Sequence, residues 1–167
     1  GMVCTRETRR EKDNIIDAVN FPTRIYPIGR LDKMGEGLIF LTNDGDIVND
    51  ILRARYGHEK EYHVTVNQPI TGDFVERMSS GVAILDTVTL PCEVEQTGRQ
   101  SFKIVLKQGL NRQIRRMCEE LGYRVRRLKR TRIMHVELGD LPVGKYRSLD
   151  DQELRKLRKR TQGAKEA

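Results

Sequence analysis

The apolar positions of this chain change their period several times along its length. Ile15, Ile16 and Val19 share one face of an otherwise polar stretch over 5–20, which predicts a helix closed by Pro22. Leu38 to Leu41 is a short unbroken apolar run, the pattern of a buried strand, with a turn at Asn43-Asp44-Gly45 behind it. Ile47, Val48, Ile51 and Leu52 then fall at helical spacing, with Asp44 or Asp46 as the cap. From Tyr62 the period becomes two, with Tyr62, Val64 and Val66 on one face and His63 and Thr65 on the other. Thr71 reads as the cap of a helix that carries Phe74, Val75 and Met78 and stops at Gly81.

Residues 84–96 and 101–106 read as strands joined by a Thr97-Gly98-Arg99 turn. A helix follows with Leu110, Ile114, Met117, Cys118 and Leu121 on one stripe, Asn111 near its start and Gly122 just past its end. Met134, Val136 and Leu138 alternate with polar residues as a further strand. Asp150 and Glu153 have capping-box spacing, flanked by Leu149 and Leu154 as a hydrophobic staple. From Arg158 onward the chain is basic and poor in apolar residues, which predicts a frayed tail. Helices and hairpin-like strands intermixed in this way give an α+β fold, a single domain with a mixed, largely antiparallel sheet flanked by helices.

Charge sharpens the picture. The 167 residues are 37% hydrophobic and 33% charged, with a net charge of +7. Between Leu110 and Arg132 stand eight arginines and Lys129 against Glu119 and Glu120, so 9 − 2 = +7 falls within that one stretch. The basicity is therefore a patch. Arg112, Arg115 and Arg116 are spaced to share one helical face, where a polyanion would relieve their repulsion. A solvated basic face is the plainer account, but the excess of Arg over Lys favours bidentate phosphate contacts. Aromatic residues are sparse and tryptophan is absent, so a base-stacking platform is poorly supported.

No apolar run approaches a membrane span, and the N-terminus shows no apolar leader pattern. Cys4, Cys92 and Cys118 are scattered and odd in number, which suits reduced thiols in a cytosolic protein. His58, His63 and His135 lack metal-site spacing, and no glycine-rich phosphate loop is present, so neither metal nor cofactor is expected. Asp44 and Asp46 around Gly45 are accounted for by a turn and a cap.

Asp32 remains. It follows Arg30 by two in a loop shaped by Gly29, Gly35 and Gly37, directly before the apolar run. On spacing alone it reads as a turn residue or as a catalytic carboxylate.

The stretches Gly29-Arg30-Leu31-Asp32, Gly37 to Gly45, Lys60-Glu61-Tyr62 and Gly109 to Met117 together resemble the ordered motifs of the ribosomal RNA pseudouridine synthases. The likeness is greatest to the subgroup that holds the small-subunit enzyme and several large-subunit enzymes. Within it the RluF-like branch fits best, helped by His58 to Tyr62 and Arg130 to Ile133, and the likeness runs from about residue 3 to 157. It implies a cofactor-free isomerisation of one uridine to pseudouridine in RNA, with large-subunit ribosomal RNA as the expected substrate and transfer RNA as a second.

The likeness also implies roles. Asp32 is the catalytic carboxylate. Arg115 is its ion-pair partner, with Arg112 as the alternative. Tyr62 lies against the target base and serves as a base in proton removal, although a phenol is weakly basic at neutral pH. Leu128 flanks the same base, and Arg30 fills the space left by the flipped uridine. Lys60, Arg112, Arg116, Arg130 and Arg132 complete the expected RNA contacts.

The catalytic domain is expected over 1–157 and a basic tail over 158–167. Members of this subgroup usually carry an S4-type RNA-binding domain at the N-terminus, and this chain is expected to begin after it. A monomer in the cytoplasm is expected. Two competing readings are a non-catalytic RNA-binding or ribosome-associated module, and a metal-dependent nuclease built on Asp32, Asp44 and Asp46. Retention of Asp32, Tyr62 and Arg115 together argues against the pure binder, which needs only arginines.

Overall fold

The computed structural model describes residues 22–53 and 58–166, with the backbone alone at 53 and 162–166. The helix expected over 5–20 and Cys4 lie outside the described residues. Along the chain run β1 (Tyr26–Ile28), β2 (Glu36–Gly37), β3 (Phe40–Thr42), α1 (Gly45–Arg53), β4 (Lys60–Val66), α2 (Gly72–Ser80), β5 (Ala83–Ile84) and β6 (Thr87–Val88). They are followed by β7 (Glu93–Gly98), β8 (Ser101–Leu106), α3 (Gln113–Glu120), β9 (Val125–Ile133), β10 (Val136–Glu137) and α4 (Asp151–Glu166). The main sheet has the order β10-β9-β4-β8-β7, antiparallel throughout, and β2 adds to β9 in parallel. The α+β class and the mixed, largely antiparallel sheet are as the patterning indicates.

One face of the sheet is apolar. Val64, Val66, Phe102, Ile104 and Leu106 bury there against Phe74 and Met78 of α2 and Ile114, Met117 and Cys118 of α3. Phe74 meets Phe102 edge-on at 5.4 Å and lies 4.2 Å from the Tyr123 ring, so it joins helix, strand and loop. Positions of the other face, His63, Thr65 and Lys103, are polar, and Lys103 reaches Glu95 at 3.1 Å. A second core forms at the far end of β9, where Ile133, Met134 and Val136 pack with Ile28, Leu38, Phe40, Ile51 and Leu157.

The helix caps follow the sequence. Thr71 Oγ1 accepts from Phe74 N at 3.1 Å, and Asp44 Oδ1 from Asp46 N at 3.0 Å. Asp150 and Glu153 exchange backbone-to-carboxylate bonds of 2.7 and 3.0 Å, a closed capping box.

Four readings need correction. The stretch 84–96 is not one strand: Leu85 and Asp86 both have positive φ, closing a type I′ turn between β5 and β6, and Pro91 interrupts the remainder. The strand expected over 134–138 shortens to Val136–Glu137, because Met134, at φ +54°, turns the chain back on β9. The helix expected from Leu110 begins only at Gln113, since Arg112 is left-handed at φ +50°. The tail from Arg158 is helical to Glu166 rather than frayed, because Leu157 and Thr161, four apart on one face of α4, are both buried.

The strand β9 itself was not foreseen. Its apolar residues stand at 125, 128 and 133, and two bulges against β4, at Thr65/Val66 and Glu61/Tyr62, each insert a residue and break the alternation.

Candidate active site

The loop from β1 to β2 is held from both ends. Gly35 N donates to Asp32 O at 2.9 Å, closing a turn directly after the carboxylate. Downstream, Gly37 lies opposite Arg130, Leu38 N donates to Arg130 O at 2.9 Å, and Arg130 Nε donates to Leu38 O at 2.8 Å. Glu36 pairs with Arg127 through both carboxylate oxygens, and the Arg127 hydrogen bond holds the Glu36 carboxyl below its ordinary range. The loop is thus fastened to β9 by backbone, buried guanidinium and ion pair together.

α3 supplies the partners of Asp32. Arg115 Nε donates to Asp32 Oδ2 at 2.6 Å, and Arg112 Nη1 approaches the same oxygen at 3.4 Å. The Asp32 and Arg115 side chains are 20% and 11% exposed, so this pair is largely shielded from water, whereas Arg112 is 46% exposed. Asp32 Oδ1 receives no hydrogen bond among the described residues. One oxygen is anchored and the other is open.

The left-handed Arg112 is set by the turn before α3. Gln113, buried, accepts from Leu110 N at 3.1 Å and donates to Gln108 Oε1 at 3.4 Å, and Gln108 Oε1 also accepts from Leu90 N at 3.2 Å. Gln113 and Glu36 were not singled out from the sequence. The available signal was a lone glutamine beside the apolar stripe of α3, and a carboxylate in a loop next to the basic patch.

Tyr62 and Leu128 belong to the apolar face of the sheet and are both half-buried against its core. Tyr62 pairs with Arg130 in register and Leu128 with Val64, so the row Gly37, Arg130, Tyr62 crosses β2, β9 and β4. Lys60 stands two positions before Tyr62 on β4, half-buried opposite Leu106 and Ile133. Arg30 is exposed in the loop ahead of Asp32.

Three expected RNA contacts are otherwise engaged. Arg130 is 3% exposed and interior: its Nε holds the Leu38 carbonyl, while its Nη2, also buried, has no hydrogen-bond partner. Arg132 donates to Met134 O at 2.6 Å and to Glu59 at 3.4 Å, and Arg116 folds back on Asn111 O at 2.9 Å and Asn111 Oδ1 at 3.0 Å. Arg130 thus ties the Asp32 loop to β9, and Arg132 and Arg116, both half-buried, each bond to the protein itself.

A cavity of about 670 Å³ lies behind the loop, lined by apolar groups such as Phe40, Leu138 and Leu149 as well as by Asp32, but not by Tyr62, Leu128 or Arg115. Among the described residues no group of three His, Cys, Asp or Glu side chains is arranged to hold a metal ion. None of the helices among them is long and apolar enough to cross a membrane.

The model of the RNA pseudouridylate synthase family matches residues 1–120. This chain belongs to that family. It is 58% identical over 154 residues to the dual-specificity RNA pseudouridine synthase RluF of Escherichia coli K12, which spans 92% of this chain and 53% of that protein. It is 33% identical over 145 residues to the ribosomal large subunit pseudouridine synthase B of Bacillus subtilis, covering 83% of this chain and 59% of the relative. A crystal structure of a pseudouridylate synthase superposes with a TM-score of 0.85 at 28% identity, over 94% of this chain and 69% of that one. The chain therefore spans a little over half the length of these two sequence relatives.

Proposed function

We propose that this chain is an RNA pseudouridine synthase whose reaction is carried by Asp32. The observation that supports it most directly is the anchoring of Asp32 Oδ2 by Arg115 and Arg112 with Oδ1 left open, in a member of this family. In the isomerisation the bond between uracil N1 and ribose C1′ breaks, the base turns, and a new bond joins C5 to C1′. The C5 proton leaves and N1 is protonated, so the reaction is redox-neutral and consumes no second substrate. An ionised Asp32 stabilises the separated fragments, covalently or by charge, and the paired guanidinium keeps that charge in place. Tyr62 and Leu128 supply apolar surface for the base once it has left its stack.

Large-subunit ribosomal RNA is the proposed substrate, with transfer RNA second, from the likeness to RluF and to a large-subunit enzyme. We place the protein in the cytoplasm as a monomer. The test is tritium release from transcribed large-subunit RNA carrying uridine labelled at C5, with the parent chain and Asp32→Asn. Release by the parent and none by the variant supports the reading. RNA binding without release by either, repeated on transfer RNA, favours a binding module instead.

A further inference from the structure

The arginines between Leu110 and Arg132 are unequally engaged. Arg112 and Arg115 meet Asp32, Arg116 meets Asn111, Arg127 meets Glu36, and Arg130 and Arg132 hold main-chain carbonyls. Arg124 and Arg126 are exposed, and their side chains form no ion pair or hydrogen bond among the described residues. The fold brings a third such cation beside them. Val66 N donates to Gln100 O at 2.8 Å, Ile70 N to Arg99 O at 2.8 Å, and Asn67 N to Arg124 O at 3.0 Å. Arg99, exposed and equally without an ion pair among the described residues, thus stands about two strand spacings, or roughly 10 Å, from Arg124 across β4.

This rim is stiff. Gln68 Nε2 donates to Gly122 O at 2.6 Å, Tyr123 Oη to Pro69 O at 3.0 Å, and Arg124 N to Asn67 Oδ1 at 2.9 Å. Three like charges on a rigid edge, none with an ion-pair partner among the described residues, repel one another, and a phosphate backbone relieves that repulsion while releasing its counterions. Guanidinium groups also suit phosphate bidentately. From Arg124, β9 leads to Lys129, opposite Glu36 of the Asp32 loop, a span of roughly 15 Å at the rise of a strand. The rim is therefore near the site but separate from it.

We propose that Arg99, Arg124 and Arg126 form a phosphate-binding foothold that grips the RNA backbone some nucleotides away from the target uridine. It rests on the reading of the chain as an RNA-modifying enzyme. The test measures RNA affinity against salt between about 50 and 200 mM. It uses Asp32→Asn protein, a transcribed large-subunit fragment and an unrelated hairpin of equal length. Replacing the three arginines by alanine is expected to lower the slope of log affinity on log salt by about 2, on both RNAs. Replacement by lysine is expected to retain most of that slope. Arg112→Ala with Arg116→Ala is expected to lower it less, since those side chains face Asp32 and Asn111. In the active background the triple variant is expected to lose more in KM than in kcat.

Circular dichroism establishes that the variants fold, and Arg124→Glu and Arg126→Glu singly repeat the test if the triple variant does not. Unchanged affinity and slope in a folded variant overturn the foothold, as does a parent chain that binds neither RNA. The synthase reading fails separately, through absent tritium release or through release undiminished by Asp32→Asn.

Discussion

Gly37 lies directly opposite Arg130 where β2 joins β9 in parallel, at a φ of +116° that side chains rarely adopt. A Cβ there would fall inside the Arg130 peptide, against rigid backbone. Any other residue must push β2 off β9, and β2 ends the loop that presents Asp32. Gly37→Ala is therefore expected to cost at least about 2 kcal/mol and to lower activity beyond the loss of folded protein. Thermal unfolding alongside tritium release measures both. A variant with the parent's melting temperature would show that this close approach is not what secures the loop.

Arg115 is the principal cation on Asp32, at 2.6 Å against 3.4 Å for Arg112. Removing it leaves a largely shielded carboxylate with only the longer, exposed contact. Arg115→Ala is expected to reduce kcat on the order of 100-fold, the scale seen when one preorganised donor is lost. Arg115→Lys recovers part of this at best, because an ammonium does not reproduce the Nε geometry. Arg112→Ala is expected to cost less. Single-turnover rates at saturating RNA rank the three, and equal losses for Arg112→Ala and Arg115→Ala would contradict the geometric order.

The parts of this site that follow local rules were legible in the sequence. Thr71, Asp44 and the Asp150–Glu153 pair cap helices because each needs only a side chain and a nearby amide. The glycine loop around Asp32 was legible as a loop, but its attachment to β9 depends on Gly37 meeting a residue 93 positions later. The strand β9 escaped because its bulges put apolar residues at 125, 128 and 133, a spacing that matches neither simple period. The same bulged strand turns Arg130 into the protein and leaves Arg126 outside. A count of charges finds the patch but cannot sort its arginines, since their partners arrive from β2, from Glu59 just before β4 and from the turn after β9.

Glu153 closes the capping box of α4 and also receives both terminal nitrogens of Arg147, at 2.7 and 2.8 Å. The Arg147 hydrogen bonds, joined by those from Asp150, hold its carboxyl down at about 2, against an ordinary value of 4.5. A carboxyl depressed on folding contributes stability that is complete above the unfolded value and is lost as pH falls through the folded one. The contribution, on the order of 1 kcal/mol for a well-formed bidentate pair near the surface, should therefore disappear between about pH 4.5 and pH 2. Glu153→Gln is expected to flatten that part of the stability profile and leave the neutral range nearly parallel to the parent. Urea unfolding across pH tests this, and an unchanged acid limb in the variant would place the acid sensitivity elsewhere, with Glu36 and Arg127 next to examine.

Cys118 sits on α3 within the main core, and burial pushes its thiol up to about 12; Cys92, half-buried, is raised to about 11 by the same cause. Only a thiolate reacts readily with an alkylating agent. In native protein at pH 8, both cysteines are expected to resist iodoacetamide for times that fully modify an exposed thiol, and both should label in denaturant. Peptide mass spectrometry separates them from Cys4. The Cys118 result bears on function, because α3 also carries Arg115. Rapid labelling of Cys118 in the folded protein would mean that α3 lifts from the sheet, and Arg115 could not then hold Asp32 steadily. Protection at Cys118 with labelling at Cys92 would confine the opening to the segment after β6, where the Cys92 thiol donates to the Met78 carbonyl at 3.5 Å.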